Sequence, residues 1–406
     1  METLSTDCVI AGGGPAGIML GYLLARAGVD VTVLEKHTDF LRDFRGDTVH
    51  PSTLQVMHEL GLLEKFLKLP HTRISTATVE IGDEHFTIGD FTRLPTICKF
   101  IALMPQWDFL AFLATEAKAF PNFHLMMETK AEGLRTEKSV VTGVTARNAQ
   151  GAFAIKAGLT VAADGRGSTL RARSGLAVKD LGAPFDVLWL SLPVLPGDPA
   201  DLIGRVKGGQ LFVMIYRTDY WQCAYLIPKD GFDTIRADGL ETFRERLKQV
   251  AGFAAGRIDD AITDFEQVKL LTVTVNRLEQ WARPGLVCIG DAAHAMSPIG
   301  GVGINLAIQD AVATANLLGP RLRKGVPNFE TLKTVQARRK FPTKVIQSFQ
   351  VAAQNLLLAP TLRAMATPKP PLFVKLFDRI PWLRQWPARF IGMGVRPEHV
   401  TLQRNQ

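Results

Sequence analysis

A glycine-rich turn lies between a strand and a helix at the start of the chain. Residues 6–11 (TDCVIA) have the pattern of a buried strand, and the run GGGPAG follows at once at residues 12–17. Residues 18–27 have helical composition, and residues 29–34 (VDVTVL) read as a second buried strand that ends in Glu35. A strand, a helix and a second strand in about 30 residues are typical of a parallel βαβ unit. The sequence therefore predicts a parallel sheet with helices on its faces.

The spacing of the glycines in this turn predicts a dinucleotide site. Gly12 permits the tight turn, Gly14 lets a pyrophosphate approach the backbone, and Gly17 lets the helix pack closely on the strand. The free N–H groups and positive dipole at the start of the helix attract phosphate. Glu35 is placed to accept hydrogen bonds from a ribose diol, which favours FAD or NAD over NADP. The same predicted site includes the adjacent residues Pro15, Ala16 and Lys36.

Two later motifs favour FAD over NAD. The pairs Asp164-Gly165 and Gly290-Asp291 each follow a buried strand, and a glycine-rich loop at 297–303 leads from the second pair into a helix. Ligands of open α/β sheets bind at the carboxyl ends of strands, so Asp291 is placed to accept hydrogen bonds from a polyol chain. The loop lets the backbone approach a flat ring. The positive end of the following helix would stabilise a reduced flavin by about 0.3–2 kcal/mol.

The order and spacing of these motifs resemble those of the class A flavoprotein monooxygenases, the para-hydroxybenzoate-hydroxylase-like family, over nearly the whole chain. The resemblance implies that the first motif binds the ADP half of FAD and that Asp291 binds the ribityl chain. It also implies that Asp164-Gly165 contacts both FAD and NAD(P)H, and that residues 46–49 run along the flavin ring. Further cofactor contacts are implied for Arg45, Gln106, Pro298, Gly301, Val302, Gly303 and Asn305.

The resemblance implies an FAD-dependent monooxygenase. In such an enzyme NAD(P)H reduces the flavin, O2 gives a C4a-hydroperoxide, and the distal oxygen passes to an electron-rich aromatic ring. The aromatic-rich stretch 181–275 favours a quinone or polyketide-like substrate over a small benzoate. Two alternatives stay open. One is a flavin oxidoreductase that does not hydroxylate, a dehydrogenase or reductase, and the other is a flavin-binding protein without turnover.

The sequence contains no obligatory catalytic side chain, because the cofactor carries the difficult chemistry. His294, within GDAAH, is interpreted as a packed or hydrogen-bonded loop residue rather than a proton relay. Candidates that assist the reaction near the predicted ring are Pro298, His50 and Asp47. Candidates that line the substrate pocket are Trp189, Phe212 and Met214, although such strand residues are as often plain core.

The predicted fold class is α/β: a Rossmann-like FAD-binding domain interleaved with an antiparallel-sheet substrate domain, followed by a C-terminal helical segment. We expect the FAD-binding domain to consist of residues 1–73, 99–180 and 276–345. The substrate-binding sheet is expected from residues 74–98 and 181–275, and the C-terminal helices from 346–406. With 406 residues, 47% of them hydrophobic, the chain is long enough to bury a core without disulfides or metals. Pro342 is expected to break the helical tail.

Charge and cysteine usage limit which partners the protein binds and in which cellular compartment it works. The net charge is +8, and residues 321–406 hold 16 lysines and arginines against 3 acidic residues. Because these basic residues are spread out, we expect the tail to dock on the acidic body. Nucleic-acid binding is not expected, and contact with a membrane surface is not favoured. The four cysteines lack metal or redox spacing, which predicts reduced, buried thiols. With no targeting segment and no apolar span, we expect a cytoplasmic monomer or homodimer.

Overall fold

The computed structural model describes residues 3–41, 48–364 and 366–405. Its strands are β1 Thr3–Ala11, β2 Val31–Leu34, β3 Thr48–Val49, β4 Thr72–Ile74, β5 Thr76–Ile81, β6 Glu84–Asp90, β7 Ile101–Leu103, β8 Phe123–Met126, β9 Lys130–Glu137, β10 Val140–Asn148, β11 Gly151–Ala162, β12 Val178–Asp180, β13 Phe185–Pro193, β14 Leu202–Lys207, β15 Gln210–Arg217, β16 Tyr220–Pro228, β17 Lys269–Leu271, β18 Asn276–Leu278, β19 Ala282–Arg283, β20 Leu286–Cys288 and β21 His294–Ala295.

The helices lie between and after these strands. They are α1 Pro15–Arg26, α2 Pro51–Glu59, α3 Leu63–Phe66, α4 Gln106–Ala117, α5 Thr169–Ser174, α6 Phe232–Ala237, α7 Leu240–Ala251, α8 Ile258–Ala261, α9 Gly303–Leu322, α10 Phe329–Ala353, α11 Ala359–Arg363, α12 Leu372–Arg379 and α13 Gln385–Met393. A π-helical segment, Gln354–Leu358, joins α10 to α11.

The first large sheet has a parallel centre. Its strands lie in the order β19-β20-β11-β1-β2-β8, and β10 and β9 extend it from β11. β20, β11, β1, β2 and β8 pair in parallel, whereas β19, β10 and β9 add antiparallel pairs at the margins. α1 packs against α4 and α9, and their apolar faces meet in the largest core cluster. The predicted parallel unit is confirmed.

The second large sheet comes from the two stretches in which short strands were predicted. Its order is β17-β13-β16-β15-β14-β5-β6, and only the β14–β5 contact is parallel. The strand pattern in the sequence predicts an antiparallel sheet, and it does not predict the parallel pairing of β14 with β5. Helices α6, α7 and α8 cover one face and form a separate core with Phe212, Tyr225 and Phe243. The helices were also missed within the stretch 181–275, where the aromatic strands dominate the pattern.

Element boundaries differ from the sequence predictions for local reasons. β1 begins at Thr3 because Thr3–Ser5 pair with the long β11. α1 begins at Pro15, since proline needs no hydrogen-bond partner in the first turn and has a helical φ. Pro342 lies inside α10 and does not break it, so that expectation was wrong. The proline ring lies inside a helix of 25 residues, and the buried side chains along the other turns keep that helix continuous.

The C-terminal segment packs on the second sheet and against α1, where Arg26 Nη1 donates to the carbonyl of Leu402 at 3.1 Å. Val374 of α12 contacts the cluster formed with Ile81 and Phe86, whereas Leu372 and Trp386 are exposed. All four cysteines are buried and free, as predicted. Across the described ranges, no helix combines the length and the apolar character that crossing a membrane would require.

Candidate cofactor site

The parallel centre of the first sheet brings the predicted motifs to one edge. Ala11 at the end of β1 pairs with Ala162 of β11 and with Leu34 of β2, and Ala162 pairs with Cys288 of β20. The chain leaves these strands into Gly12, Glu35, Asp164 and Asp291 in turn. Carboxyl ends of parallel strands form the ligand crevice of open α/β sheets. Four sequence motifs scattered over some 280 positions therefore meet at a single crevice.

The glycine-rich turn uses its three glycines for different physical reasons. Gly12 has a φ of +109°, and a Cβ there would collide with the carbonyl of Ala163. A Cβ on Gly17 would collide with the carbonyl of Gly12. At Gly14, by contrast, a Cβ would meet no heavy atom within 4 Å among the residues that the structure describes. Gly12 and Gly17 are therefore required by the fold, and Gly14 leaves open space at the start of α1.

Glu35 closes the turn from the second strand. Its Oε2 accepts a hydrogen bond from the backbone N–H of Gly13 at 3.0 Å, and its Oε1 accepts from the N–H of His37 at 3.1 Å. The side chain is buried, and Lys36 beside it is exposed. These bonds fix the carboxylate next to the helix start. A carboxylate next to the helix start has the acceptor chemistry that a ribose diol requires.

Asp164 and Asp291 differ in what they face. Asp164 accepts hydrogen bonds from Ser168 Oγ and, at 3.2 Å, from the N–H of Leu170, so this carboxylate organises the start of α5. Asp291 is about one-third exposed, and its Oδ2 accepts from Arg166 Nε at 3.0 Å. Arg166 Nη1 is buried and has no partner within the described part of the chain. Arg166 was not among the residues predicted to bind the cofactor, although it lies in the motif ADGRGS.

A buried ionic network supports the Gly290-Asp291 motif from behind. Asp310 of α9 accepts from the N–H of Gly290 at 3.0 Å and from His294 Nε2 at 2.6 Å. Its other oxygen accepts from Arg339 Nε of α10 at 2.9 Å, and Arg339 also reaches Glu398 at 3.3 Å. Burial would raise the pKa of Asp310, but the attraction and hydrogen bonds of His294 and Arg339 outweigh it and lower that pKa. His294 is thus a buried structural partner. One feature of the sequence could have indicated this network: Asp310 places a carboxylate inside the apolar stretch 303–318.

The glycine-rich loop after this motif is fixed by distant side chains. Pro298 precedes a short 3-10 turn, Ile299–Gly301, in which Gly300 and Gly301 have φ values of 77° and 62°. The carbonyl of Gly301 accepts from Thr48 Oγ1 at 2.8 Å and lies 3.1 Å from His50 Nε2. The other ring nitrogen of His50 lies 3.0 Å from the carbonyl of Ile391 in α13. The fully buried imidazole therefore ties the loop to the C-terminal helix.

The start of α9 is joined to the start of α2 through one side chain. Asn305 is buried, and its Oδ1 accepts from Ser52 Oγ at 2.6 Å and from Thr53 Oγ1 at 2.8 Å. Val302 caps the helix without a side-chain hydrogen bond, and a Cβ on Gly303 would meet nothing within 4 Å in the described structure. Asn305 thus orients the helix start. The hydroxyl partners carried no sequence signal, because they lie about 250 positions away.

The remaining predicted cofactor residues lie elsewhere. Gln106 is the first residue of α4, the helix that packs against α1. Pro105 occupies the N-cap position of this helix. Arg45 and Asp47 lie outside the described residues, as does the first half of the 46–49 stretch.

The three predicted substrate residues are divided between two faces of the second sheet. Phe212 and Met214 are fully buried beneath α6–α8, whereas Trp189 lies on the opposite face. Neighbouring strand residues point to opposite faces, so Val213 shares the face of Trp189. That face also packs against Ile299 of the glycine-rich loop. Phe212 and Met214, predicted as candidates to line the substrate pocket, instead form the core on the other face, which was the stated alternative for such strand residues.

The crevice fits FAD. α1 and α9 both begin at glycine-rich backbone, and among the described residues neither helix start has a side-chain cap or an acid in its first turn. Open backbone at Gly14 and Gly303 and the unpartnered Arg166 Nη1 suit phosphate and ring oxygens. Glu35, after β2, and Asp291, after β20, place carboxylate acceptors at two points along the crevice, as the ribose and ribityl hydroxyls of FAD would require. Together these N–H donors and carboxylate acceptors suit a dinucleotide, which has an anionic pyrophosphate at its centre.

Comparison with known proteins agrees with this geometry. The family described as "FAD binding domain" matches residues 5–348. The chain is 32% identical over 366 residues to 6-methylpretetramide 4-monooxygenase of Streptomyces rimosus, covering 90% of this chain and 87% of that protein.

Two solved structures share the fold. PqsL, a probable FAD-dependent monooxygenase of Pseudomonas aeruginosa, superimposes with a TM-score of 0.75 at 23% identity and covers 89% of this chain and 99% of its own. OxyS, the anhydrotetracycline hydroxylase of Streptomyces rimosus, gives a TM-score of 0.75 at 23% identity, with 97% and 77% covered. The family match, the relative and the crevice agree with the motif resemblance: the chain belongs to the FAD-binding class A flavoprotein monooxygenases.

Proposed function

We propose that the protein hydroxylates a fused aromatic or quinone substrate of polyketide type, with NAD(P)H as the reductant and O2 as the oxygen donor. One observation carries the proposal. The loop that follows the Gly290-Asp291 motif and the apolar face of the second sheet pack against the same cluster, through Ile299 on one side and Trp189 and Val213 on the other. The loop after the Gly290-Asp291 motif thus borders an apolar surface, where a hydrophobic substrate would be stabilised by burial.

The names of the relatives support the same substrate class. The relative at 32% identity is named for 6-methylpretetramide, and the structural neighbour OxyS is named for anhydrotetracycline. Trp189, Val213 and Leu226 lie on the face of the sheet towards Ile299, which suits a flat apolar ligand. We therefore favour a multi-ring phenol or quinone over a single-ring acid.

Bound FAD supplies the electron transfer and oxygen chemistry that protein side chains lack. The chain's own groups bind, orient and shield. Glu35 and the open backbone at Gly14 would hold the adenosine end, while Asp291, with Arg166, would hold the middle of the cofactor. Asn305 fixes the start of α9, whose positive end would favour the anionic reduced form of a flavin bound there.

Water exclusion is the second task of the chain. The loop 297–301 is closed on the sheet by apolar contacts, and fixed backbone donors in a dry site stabilise developing charge better than mobile water. We include Pro298 in this wall. His50 holds the loop backbone from behind rather than facing the substrate, since its two ring nitrogens lie 3.0 and 3.1 Å from the carbonyls of Ile391 and Gly301 and the neutral ring donates to one of them. Cofactor and substrate roles for Arg45, Gln106, Val302 and Asp47 remain part of the proposal.

The domain division supports the same scheme. We propose that residues 1–73, 99–180 and 276–345 form the FAD-binding unit and that 74–98 and 181–275 form the substrate unit, with the helices of 346–406 bracing both. The two large sheets draw their strands from these separate stretches. We further propose a cytoplasmic monomer or homodimer, in keeping with four unpaired, buried cysteines.

Turnover under isotopically labelled O2 tests the proposal. The FAD-loaded protein is incubated with NADH or NADPH and a panel of naphthols, anthraquinones and anhydrotetracycline, and products are analysed by mass spectrometry. We expect substrate-dependent NAD(P)H oxidation and one labelled oxygen atom in the product. A dehydrogenated product without label identifies the oxidoreductase alternative. Retention of FAD with no NAD(P)H oxidation across the panel identifies a non-catalytic flavoprotein, and either result overturns the proposal.

A further inference from the structure

Three glutamines on one side of the helical segment 329–358 differ in their hydrogen bonding. Gln347, Gln350 and Gln354 are spaced by three and four residues, so their side chains share one helical face. All three are buried, at 0%, 1% and 1% exposure. The face runs from the segment that precedes the glycine-rich loop towards the sheet.

The first two glutamines are fully engaged with the protein backbone. Gln347 Nε2 donates to the carbonyls of Asn276 and Ala295 at 2.8 and 3.0 Å, and its Oε1 accepts from Arg277. Gln350 Nε2 donates to the carbonyls of Ser297 and Ile299, both at 2.9 Å, and its Oε1 accepts from the N–H of Ser297 at 3.2 Å. These bonds fix the loop at the ring end of the cofactor site.

Gln354 stands in contrast to them. Both amide atoms, Oε1 and Nε2, are buried and lack a hydrogen-bond partner in the described portion of the protein. Burying an unpaired amide opposes folding, so such groups in native proteins call for an explanation. The helix also changes form here, since Gln354 begins the π-helical segment Gln354–Leu358. Single π turns inside α-helices are frequent at functional sites.

The neighbours of Gln354 locate it. Val351 and Leu358, three positions before and four after, pack against the apolar cluster of the second sheet. Trp189 and Ile299 pack against the same cluster. Gln354 therefore lies where the helix passes between the glycine-rich loop and the substrate face of the sheet.

We propose that Gln354 binds the substrate directly, and that the substrate presents a hydrogen-bond donor and acceptor side by side, as in a carboxamide or an enol next to a ketone. The inference rests on the proposed function and names the polar recognition within that apolar site. A glutamine amide offers one acceptor oxygen and two N–H donors in a plane. A carboxamide or enolised diketone on an aromatic ring matches this pair with two parallel hydrogen bonds. A site built for such a group rejects analogues that lack it by large factors.

Thermal stability of the FAD-loaded protein separates a ligand-facing amide from a structural one. Gln354→Leu replaces an unpaired amide by an apolar group of similar size, and we expect the Tm to stay equal or rise by about 2 °C. The matched variant is Gln350→Leu, which removes three hydrogen bonds one turn earlier and is expected to lower the Tm by about 4 °C or more. A loss of Tm in Gln354→Leu comparable to that in Gln350→Leu would mean that Gln354 supports the fold, and it would overturn the proposal.

A pair of naphthols tests the substrate class. One carries a carboxamide ortho to its hydroxyl, and the other carries a methyl group there. We expect the wild type to prefer the carboxamide at least tenfold in kcat/KM, and Gln354→Leu to abolish that preference by lowering only the carboxamide value. A preference that survives in Gln354→Leu, or no preference in a wild type that oxidises other phenols, overturns the proposal. Failure of the proposed function is distinct, since the wild type then oxidises no phenol at all, while the melting comparison still decides what Gln354 does.

Discussion

The two ends of the cofactor crevice are built in different ways. At the early end, the turn 12–17 and Glu35 lie within 24 residues of one another, and the turn is shaped by backbone stereochemistry at Gly12 and Gly17. At the late end, the segment 290–305 is held by side chains from distant parts of the chain. Its partners are Thr48, His50, Ser52, Thr53, Asp310, Gln350 and, through His50, Ile391.

The early end is therefore shaped mainly by local backbone geometry, and the late end by contacts between distant parts of the chain. The early end is shaped by its own strand, turn and helix and by one neighbouring strand. Gly17 is required by the carbonyl of Gly12 within the turn, and Gly12 is required by the carbonyl of Ala163, just after β11. The late end exists only when α2, α9, α10 and α13 are already packed. Loss of a distant support is therefore expected to disturb the ring end of the site first. Loss of a turn glycine is expected to act at the adenosine end.

The largest expected effect comes from breaking the buried network under Gly290. Arg339 is 1% exposed and lies between the buried carboxylates of Asp310 and Glu398. Arg339→Met leaves Asp310 without its arginine and Glu398 with only the partly exposed Arg338. We expect the free energy of unfolding to fall by about 3–5 kcal/mol, measured by urea denaturation of the FAD-loaded protein. The control is Arg338→Met, which removes a partly exposed partner of the same Glu398 and should cost about 1 kcal/mol or less. Equal losses in the two variants would show that the network does not support the late end.

A smaller effect, which depends on pH, tests the tie between the loop and α13. Burial, only partly opposed by hydrogen bonds to the carbonyls of Ile391 and Gly301, lowers the pKa of His50 from 6.5 to about 4. Between these values the unfolded chain binds a proton that the folded protein does not bind. Stability therefore falls as the pH drops from about 6.5 to about 4, by up to about 1.4 kcal/mol per unit and about 3 kcal/mol in all.

The measurement is the free energy of unfolding at several pH values for the wild type and for His50→Gln, which does not titrate. Other groups contribute equally to both proteins, so the difference between the two curves isolates His50. We expect that difference to change by about 3 kcal/mol over the window and to be flat above pH 7. Parallel curves across the whole range would contradict a neutral, buried imidazole at this position.

The contrast between the two ends also explains what could be predicted from the sequence. The turn 12–17, Glu35 and the two later motifs were predicted correctly as the edge of a parallel sheet, because each depends on residues adjacent in the sequence. The supports of the late end were not predicted. Ser52 and Thr53 read as helix-start residues, and their bonds to Asn305 span about 250 positions.

The prediction made for the second sheet failed in a different respect. Its strands could be recognised from alternation, but alternation does not say which face meets the cofactor loop. Phe212 and Met214 were candidates for the pocket but form the core under α7, and only Trp189 of the three lies on the face towards Ile299. Tertiary packing decides that choice. Gln354 was overlooked for the same reason, because a glutamine in a helix gives no sign of burial by itself.

The smallest expected effect separates fold from ligand within the early turn itself. Gly12→Ala places a Cβ against the carbonyl of Ala163 at a φ of +109°, and we expect a loss of about 1–3 kcal/mol of stability with or without FAD. Gly14→Ala meets no described atom within 4 Å, so the stability of the FAD-free protein should change by less than about 1 kcal/mol. Its methyl group would instead occupy the space in which the pyrophosphate approaches the backbone. FAD affinity, measured by titration of the FAD-free protein, should therefore weaken at least tenfold, which is about 1.4 kcal/mol. If Gly14→Ala binds FAD as tightly as the wild type, the open backbone at the start of α1 does not hold the phosphates, and the adenosine end of the proposed site is wrong even though the fold around it is right.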